Sequence, residues 1–103
     1  MELDLDKEGF LRDIAQWDEQ AAEILASNAG IELTPAHWEI LWLLRDFYRR
    51  YQSSPASRAL SNYAKRELGA DKGRSAYLMR LFGGSAAKTA AKLAGLPKPD
   101  NCL

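Results

Sequence analysis

The sequence predicts an α+β fold, mostly α: an orthogonal bundle of about five helices with a small N-terminal β-hairpin and an extended C-terminal arm. Capping residues or proline precede four of the five predicted helices, and glycine follows most of them. Leu3-Asp4-Leu5 alternates with the period of a strand, and two prolines in the last eight residues exclude a helix there. With 103 residues the chain is expected to be one domain, divided into a hairpin (1–11), a helical core (18–94) and an arm (96–103).

The hairpin is predicted from its first eleven residues. Leu3-Asp4-Leu5 forms one side, and Phe10-Leu11 returns on the other. Between them Asp6-Lys7-Glu8-Gly9 supplies a turn in which Gly9 can take a positive φ. So short a ribbon is expected to pack on the helices, because two strands alone are barely stable.

Two strong helix starts lie in the first half of the chain. Asp18 is a good N-cap for a helix that runs to about Ala29, and Gly30 suits its end. Thr34-Pro35 combines a capping hydroxyl with proline at the first helical position and predicts a helix to about Tyr51. This second helix is apolar on most sides and is expected to be the most buried element.

Three further helices are predicted in the second half. Ser54-Pro55 repeats the hydroxyl-proline start for a helix that ends at Leu68. A short helix is expected around 75–82, before two glycines. Ser85 then caps a last helix through about Ala94, which Gly95 ends.

The single cysteine lies at the penultimate position of the arm. Eight residues of extended chain span about 25–28 Å from the last helix. An exposed thiol without neighbours that favour its thiolate is a poor catalyst by itself, and it suits a carrier that is activated in a partner's active site. Cys102 is therefore the candidate catalytic residue, and an incidental thiol at a frayed terminus is the alternative.

Composition excludes several classes of protein. One cysteine and one histidine permit neither an internal disulfide nor a protein-only zinc site, so no metal and no cofactor are expected. No apolar run is long enough to span a membrane, and the acidic N-terminus lacks the features of a signal peptide, so a cytoplasmic protein is expected.

The net charge of zero conceals a strong asymmetry. Residues 1–39 carry ten acids and two bases, whereas residues 40–103 carry twelve bases and four acids. Either the basic half steers a charged partner, or the two halves neutralise each other across the fold.

Three other features have a functional and a structural interpretation. His37 lies in the first turn of the second helix and is expected to cap or pack rather than to act as an acid or base. Trp38 and Trp42 are expected in the core. The helices at 54–68 and 75–82 also suit a helix-turn-helix that binds nucleic acid, although the second helix is mostly apolar and poor for reading bases.

Motifs along nearly the whole chain resemble the TusE/DsrC sulfur-relay family. Besides Trp17, they are DKEGFL at 6–11, LTPAHWEILWLLRDFYRRY at 33–51, PASRAL at 55–60, YLMRLFGG at 77–84 and AGLPKPDNCL at 94–103. They occur in family order, which makes the resemblance specific. It departs at Gly83-Gly84, where family members often have a proline-containing loop.

The resemblance implies that Cys102 accepts sulfane sulfur as a persulfide. DsrC proper has a second arm cysteine where this chain has Ala91, so the pattern is similar to that of single-cysteine members. For these the resemblance implies a TusBCD-like donor complex and, as acceptor, an MnmA-like tRNA 2-thiouridylase that modifies the wobble uridine. A DsrC-like accessory or regulatory protein of sulfite reductase or sulfur metabolism is the alternative within the family.

Three basic residues are expected to support the arm or to dock a partner. Arg58 and Arg80 lie inside two of the family-like motifs, and Lys98 lies on the arm.

Overall fold

The computed structural model describes residues 2–100, which form five α-helices and two short 3-10 turns. The helices are α1 (Glu19–Asn28), α2 (Pro35–Tyr51), α3 (Ser57–Leu68), α4 (Ser75–Phe82) and α5 (Ala86–Leu93), and the 3-10 turns are Ile14–Gln16 and Ala70–Gly73. None of the helices in this part of the chain is both long and apolar enough to cross a membrane.

The predicted N-terminal β-hairpin is not formed, so the α+β fold class is wrong: residues 2–100 contain no β-strand. Leu5 and Leu11 meet in a single antiparallel bridge. The Asp6 carboxylate accepts hydrogen bonds from the amides of Glu8 and Phe10, both at 2.9 Å, and closes a tight turn. Two backbone hydrogen bonds, from the Asp6 amide to the Phe10 carbonyl and from the Arg12 amide to the Asp4 carbonyl, form the bridge, but the Phe10 amide bonds the Asp6 side chain instead of extending a ladder.

Asp13 explains why the pairing does not continue past the bridge. Its carboxylate accepts from the Ala15 amide at 2.9 Å and caps the 3-10 turn that begins at Ile14. The 3-10 turn thus begins three residues after Leu11, so the chain leaves the extended conformation soon after the bridge. The physical cause of the wrong prediction is a local cap that outcompetes a marginal ribbon.

The first two helices begin where their caps predicted. The Asp18 carboxylate accepts from the Ala21 amide at 2.7 Å and starts α1. Thr34 and His37 form a capping box at the start of α2, where Pro35 occupies the first helical position. Both predicted starts are confirmed. Each depends on a cap that binds a backbone amide only three residues away.

The starts of α3 and α5 differ from their predictions. α3 begins at Ser57, after Ala56, with no side-chain cap, so Ser54-Pro55 is not its start. Ser85 does stand at the N-cap position of α5, but its hydroxyl makes no capping bond.

α5 lies at the centre of the packing and contacts all four other helices. Its buried face consists of small side chains, Ala87, Ala90 and Ala91, together with Leu93, which lets neighbouring helices approach closely. α2 supplies the larger core side chains Ile40, Leu41 and Leu44. The prediction that α2 is the most buried element overlooked α5, whose alanines give a weak apolar signal in sequence.

His37 is a buried structural histidine. Its Nδ1 accepts from the Thr34 amide at 3.1 Å, and its Nε2 lies 2.7 Å from the Leu81 carbonyl oxygen. A carbonyl only accepts, so Nε2 carries the proton and the ring links the start of α2 to α4. The expectation of a capping histidine is confirmed.

The oppositely charged halves of the chain are joined by ion pairs at two carboxylates. Glu39 of α2 pairs with Lys72 at 2.8 Å. Glu8 pairs with Lys98 at 3.2 Å and with Lys88 at 3.3 Å. Neutralisation across the fold therefore takes place at these carboxylates, one of which contacts the C-terminal segment.

We expect His37→Leu to lower the free energy of unfolding by about 1–3 kcal/mol, because the Leu81 carbonyl and the Thr34 amide lose their buried partner. Urea unfolding of the purified variant measures this. Glu32→Gln, an exposed change just before the same helix, is the control and is expected to stay within about 0.5 kcal/mol of the parent. A similarly small effect for His37→Leu would contradict the structural role.

Candidate functional site

Residues 96–100, here called the strap, lead toward the predicted carrier thiol. Cys102 itself lies outside the described residues. Leu96 is 1% exposed and Pro99 is also buried, so the strap lies on the body. The expectation of an arm that extends from Leu96 is not met over residues 96–100.

The strap begins at a tight reversal after α5. The Gly95 amide donates to the Lys92 carbonyl at 3.1 Å, and the Leu96 amide donates to the Ala91 carbonyl at 3.0 Å. With a φ of 73° at Gly95, these bonds form a Schellman motif. Lys88 in α5 and Lys98 in the strap contact one carboxylate, so the chain returns alongside α5.

Two side chains clamp the end of α5. The Trp17 Nε1 donates to the Leu93 carbonyl at 3.0 Å, and the Arg45 Nη1 donates to the Ala94 carbonyl at 2.7 Å. The Arg45 guanidinium also lies 4.2 Å from the centre of the Trp17 ring. Carbonyls that a helix end leaves without partners are thus satisfied, and the root of the strap is fixed.

The Arg45 guanidinium of the clamp is partly removed from solvent. Burial, together with the neighbouring Arg49, lowers the pKa of Arg45. The group still carries its charge at neutral pH, because an arginine titrates far above that range.

An aromatic surface adjoins the strap root. Trp42 packs edge-on against Trp17, with ring centres 5.2 Å apart, and stacks on Trp38 at 6.4 Å. Trp42 is 49% exposed and Trp38 is half-buried. The prediction that both lie in the core is wrong for Trp42, whose ring packs on Trp17 and Trp38 and is otherwise open to solvent.

Two polar contacts hold the strap beyond its root. The Ser54 hydroxyl donates to the Pro97 carbonyl at 2.6 Å. The Lys98 Nζ donates to both carboxylate oxygens of Glu8, at 3.2 and 3.3 Å. Lys98, followed by Lys88, lowers the pKa of Glu8, so the carboxylate is ionised at neutral pH.

The predicted basic residues fall in different places. Lys98 contacts the body through Glu8, as arm support requires. Arg58 on α3 and Arg80 on α4 are exposed, and within residues 2–100 neither forms a hydrogen bond or ion pair with the strap. Their part in partner docking stays a prediction.

Sequence reasoning missed the side chains that hold the arm. In the sequence, Trp17 and Arg45 stand out only as parts of family-like motifs, and Ser54 indicates a helix start. The signal for Trp17 was its isolation: a large aromatic residue with a polar N–H, outside any predicted helix, needs a partner.

We expect Gly95→Ala to destabilise the protein more than Gly30→Ala. Both glycines have a φ of 73° and follow a helix end, so each alanine costs about 1–2 kcal/mol of backbone strain. A Cβ at Gly95 would lie 2.3 Å from the Trp17 Cδ1, whereas nothing lies within 4 Å of one at Gly30. The added overpacking is worth about 1–3 kcal/mol. Urea unfolding measures both, and equal losses would contradict the close approach.

Comparison with known proteins supports one family over the full chain. A family model described as "DsrC like protein" matches residues 1–103. The chain is 52% identical over 103 residues to a protein of Haemophilus influenzae named "Sulfurtransferase TusE homolog", covering 100% of this chain and 94% of that one. It is 46% identical over 102 residues to sulfurtransferase TusE of Escherichia coli K12, covering 99% and 94%.

Solved structures agree with this result. The NMR structure of Allochromatium vinosum DsrC matches with a TM-score of 0.88 at 40% identity, covering 98% of this chain and 90% of that one. The crystal structure of the oxidized gamma-subunit of the dissimilatory sulfite reductase (DsrC) from Archaeoglobus fulgidus matches with a TM-score of 0.81 at 41% identity, covering 98% and 92%. The resemblance seen in the motifs is confirmed, and the chain belongs to the DsrC-like family.

Proposed function

We propose that this chain is a sulfur-relay carrier, a sulfurtransferase that accepts sulfane sulfur as a persulfide on Cys102. One observation carries the proposal: relatives named sulfurtransferase TusE align with the full chain at 46–52% identity. Cys102 is the only cysteine in the sequence. It follows a strap whose root is fixed to the body, as a carried group requires.

The transfer is a thiol–persulfide exchange. The Cys102 thiolate attacks the outer sulfur of a donor persulfide, R–S–SH, and a new sulfur–sulfur bond forms. The donor's own sulfur–sulfur bond breaks, and R–S⁻ leaves and takes up a proton. The product is Cys102–S–SH, formed without an external oxidant or reductant.

Other proteins supply and receive the sulfur. The family resemblance supports a TusBCD-like complex as donor and an MnmA-like tRNA 2-thiouridylase as acceptor, so that tRNA is met through that enzyme. With these partners, we propose a cytoplasmic location for the carrier. The same partners make wobble-uridine 2-thiolation the end of the relay.

The two alternatives have less support. A DsrC-like accessory role that uses a second arm cysteine conflicts with the single thiol and with the fully buried Ala91 at that position. As the reading helix of a helix-turn-helix, α4 would expose Ser75, Ala76, Met79 and Arg80, a set with one arginine that is poor for reading base edges.

Loading of the carrier tests the proposal directly. Incubation with a persulfide donor is expected to add about 32 Da, the mass of one sulfur atom, as measured by intact mass spectrometry. Cys102→Ser is expected to abolish the gain while leaving the unfolding curve unchanged. The parent treated with a donor lacking sulfane sulfur is the control. Loading of Cys102→Ser, or none in the parent, would contradict the proposal.

Arg58 and Arg80 are proposed as partner contacts. Both are exposed, and neither is needed by the strap. We expect Arg58→Gln with Arg80→Gln to weaken sulfur transfer from a donor protein by roughly three- to thirtyfold, as rim charges do. Loading from a small-molecule persulfide should be unchanged. Arg66→Gln, an exposed arginine paired with Glu67, is the control, and equal loss in the control would remove the assignment.

A further inference from the structure

The strap is fixed at its root by several hydrogen bonds, and beyond Leu96 it is held by two polar contacts and by the burial of Pro99. Up to Leu96 the chain is fixed by the Schellman bonds and by the Trp17 and Arg45 clamp. From Pro97 onward the described polar contacts are the Ser54 hydrogen bond and the Glu8 ion pair. The fixed root of the strap therefore ends at Leu96.

Ser54 is well placed for holding the strap. It is followed by Pro55, a fully buried residue whose ring restricts the local backbone. Its hydroxyl is not used to cap α3, which begins at Ser57, and instead reaches a carbonyl 43 residues away.

Glu8 is presented by a stiffened turn. The two amide bonds to Asp6 and the bridge between Leu5 and Leu11 fix the segment on either side of it. Its carboxylate is shared between Lys98 of the strap and Lys88 of α5. If Lys98 leaves, the Glu8 carboxylate therefore keeps Lys88 as its partner.

Burial alternates along the strap. Leu96 and Pro99 are buried, whereas Pro97 and Lys98 between them are exposed. Residues three apart share a face in a polyproline helix, which Pro97 and Pro99 favour. Pro97 and Pro99 restrict the backbone, so the strap is a short, stiff segment.

We propose that Ser54 and Glu8 are positioning residues that latch the strap onto the body, and that their release lets the strap pivot at Leu96. The purpose of the latch, to control the reach of Cys102, rests on the proposed function. The latch itself concerns only described residues. A partner that takes over either contact shifts the chain toward the released state.

A spin label on the only cysteine measures the latch without sulfur chemistry. With a nitroxide on Cys102, amide signals of residues 6–9 and 52–56 are expected to broaden in the parent, relative to the reduced label. Ser54→Ala and Glu8→Gln are each expected to raise the released population by roughly two- to tenfold, and the broadening should fall accordingly. Unchanged broadening in the double variant would overturn the proposal.

Two lysines provide a matched pair of controls. Lys98→Gln and Lys88→Gln each remove one positively charged partner of the Glu8 carboxylate, but only Lys98→Gln removes a contact of the strap. We expect Lys98→Gln to act like Glu8→Gln, and Lys88→Gln to leave the broadening unchanged or greater. Ser53→Ala, an exposed neighbour, is the control for Ser54. Equal effects of the two lysine substitutions would point to general charge screening and overturn the latch.

Sulfur loading separates this proposal from the function on which it rests. If no variant gains sulfur at Cys102, the carrier function fails, and the spin-label result still decides the latch. If loading from a small donor occurs equally in all variants while the broadening responds as described, both hold. Loading without any response of the broadening retains the carrier and rejects the latch.

Discussion

The close approach of Gly95 to the Trp17 ring determines where the C-terminal strap begins. Trp17 comes from the N-terminal segment, Arg45 from α2, and the carbonyls they bind from the end of α5. Three distant parts of the sequence thus meet within a few ångströms at the point where the chain reverses. A side chain at residue 95 would separate them, since its Cβ would lie 2.3 Å from the indole.

This junction also compensates for a weak helix. α5 has eight residues, and a helix of that length is unstable by itself in water. Its stability comes from its alanine face against the other four helices and from side chains that take up its terminal carbonyls. Since the strap starts at the end of this helix, its direction is a property of the whole fold rather than of the tail sequence.

Structure that depends on residues close in sequence could be predicted, whereas contacts between distant residues could not. Asp18, Thr34-Pro35 and Gly95 act on backbone groups a few residues away, and the structure bears them out. Ser54 carries the same local pattern as Thr34, yet its hydroxyl bonds Pro97. The alternation at Leu3–Leu5 led to one bridge and not to strands, because the Asp6 carboxylate binds the Glu8 and Phe10 amides on one side of the bridge.

The same distinction applies to the site. Cys102 and Lys98 could be named from a contiguous motif at the C-terminus. The residues that hold the arm lie on three separate segments and meet only after folding, so no spacing in the sequence marks them. Trp42 shows the converse: it lies one turn after Trp38 on the same helix, yet it is 49% exposed, and helical spacing alone does not show which side chains the rest of the fold covers.

A carrier with one thiol must exchange sulfur between molecules, and this constrains its arm in two opposing ways. A wholly free arm loses about 1–2 kcal/mol of backbone entropy per residue each time it is ordered in a partner. A wholly fixed arm cannot enter one. A clamped root followed by a stiff strap avoids both extremes: prolines limit the entropy that is lost on docking, and the two polar contacts beyond the root lie at the surface, where a partner can replace them. The strength of those two contacts therefore sets the balance between storing the thiol and delivering it.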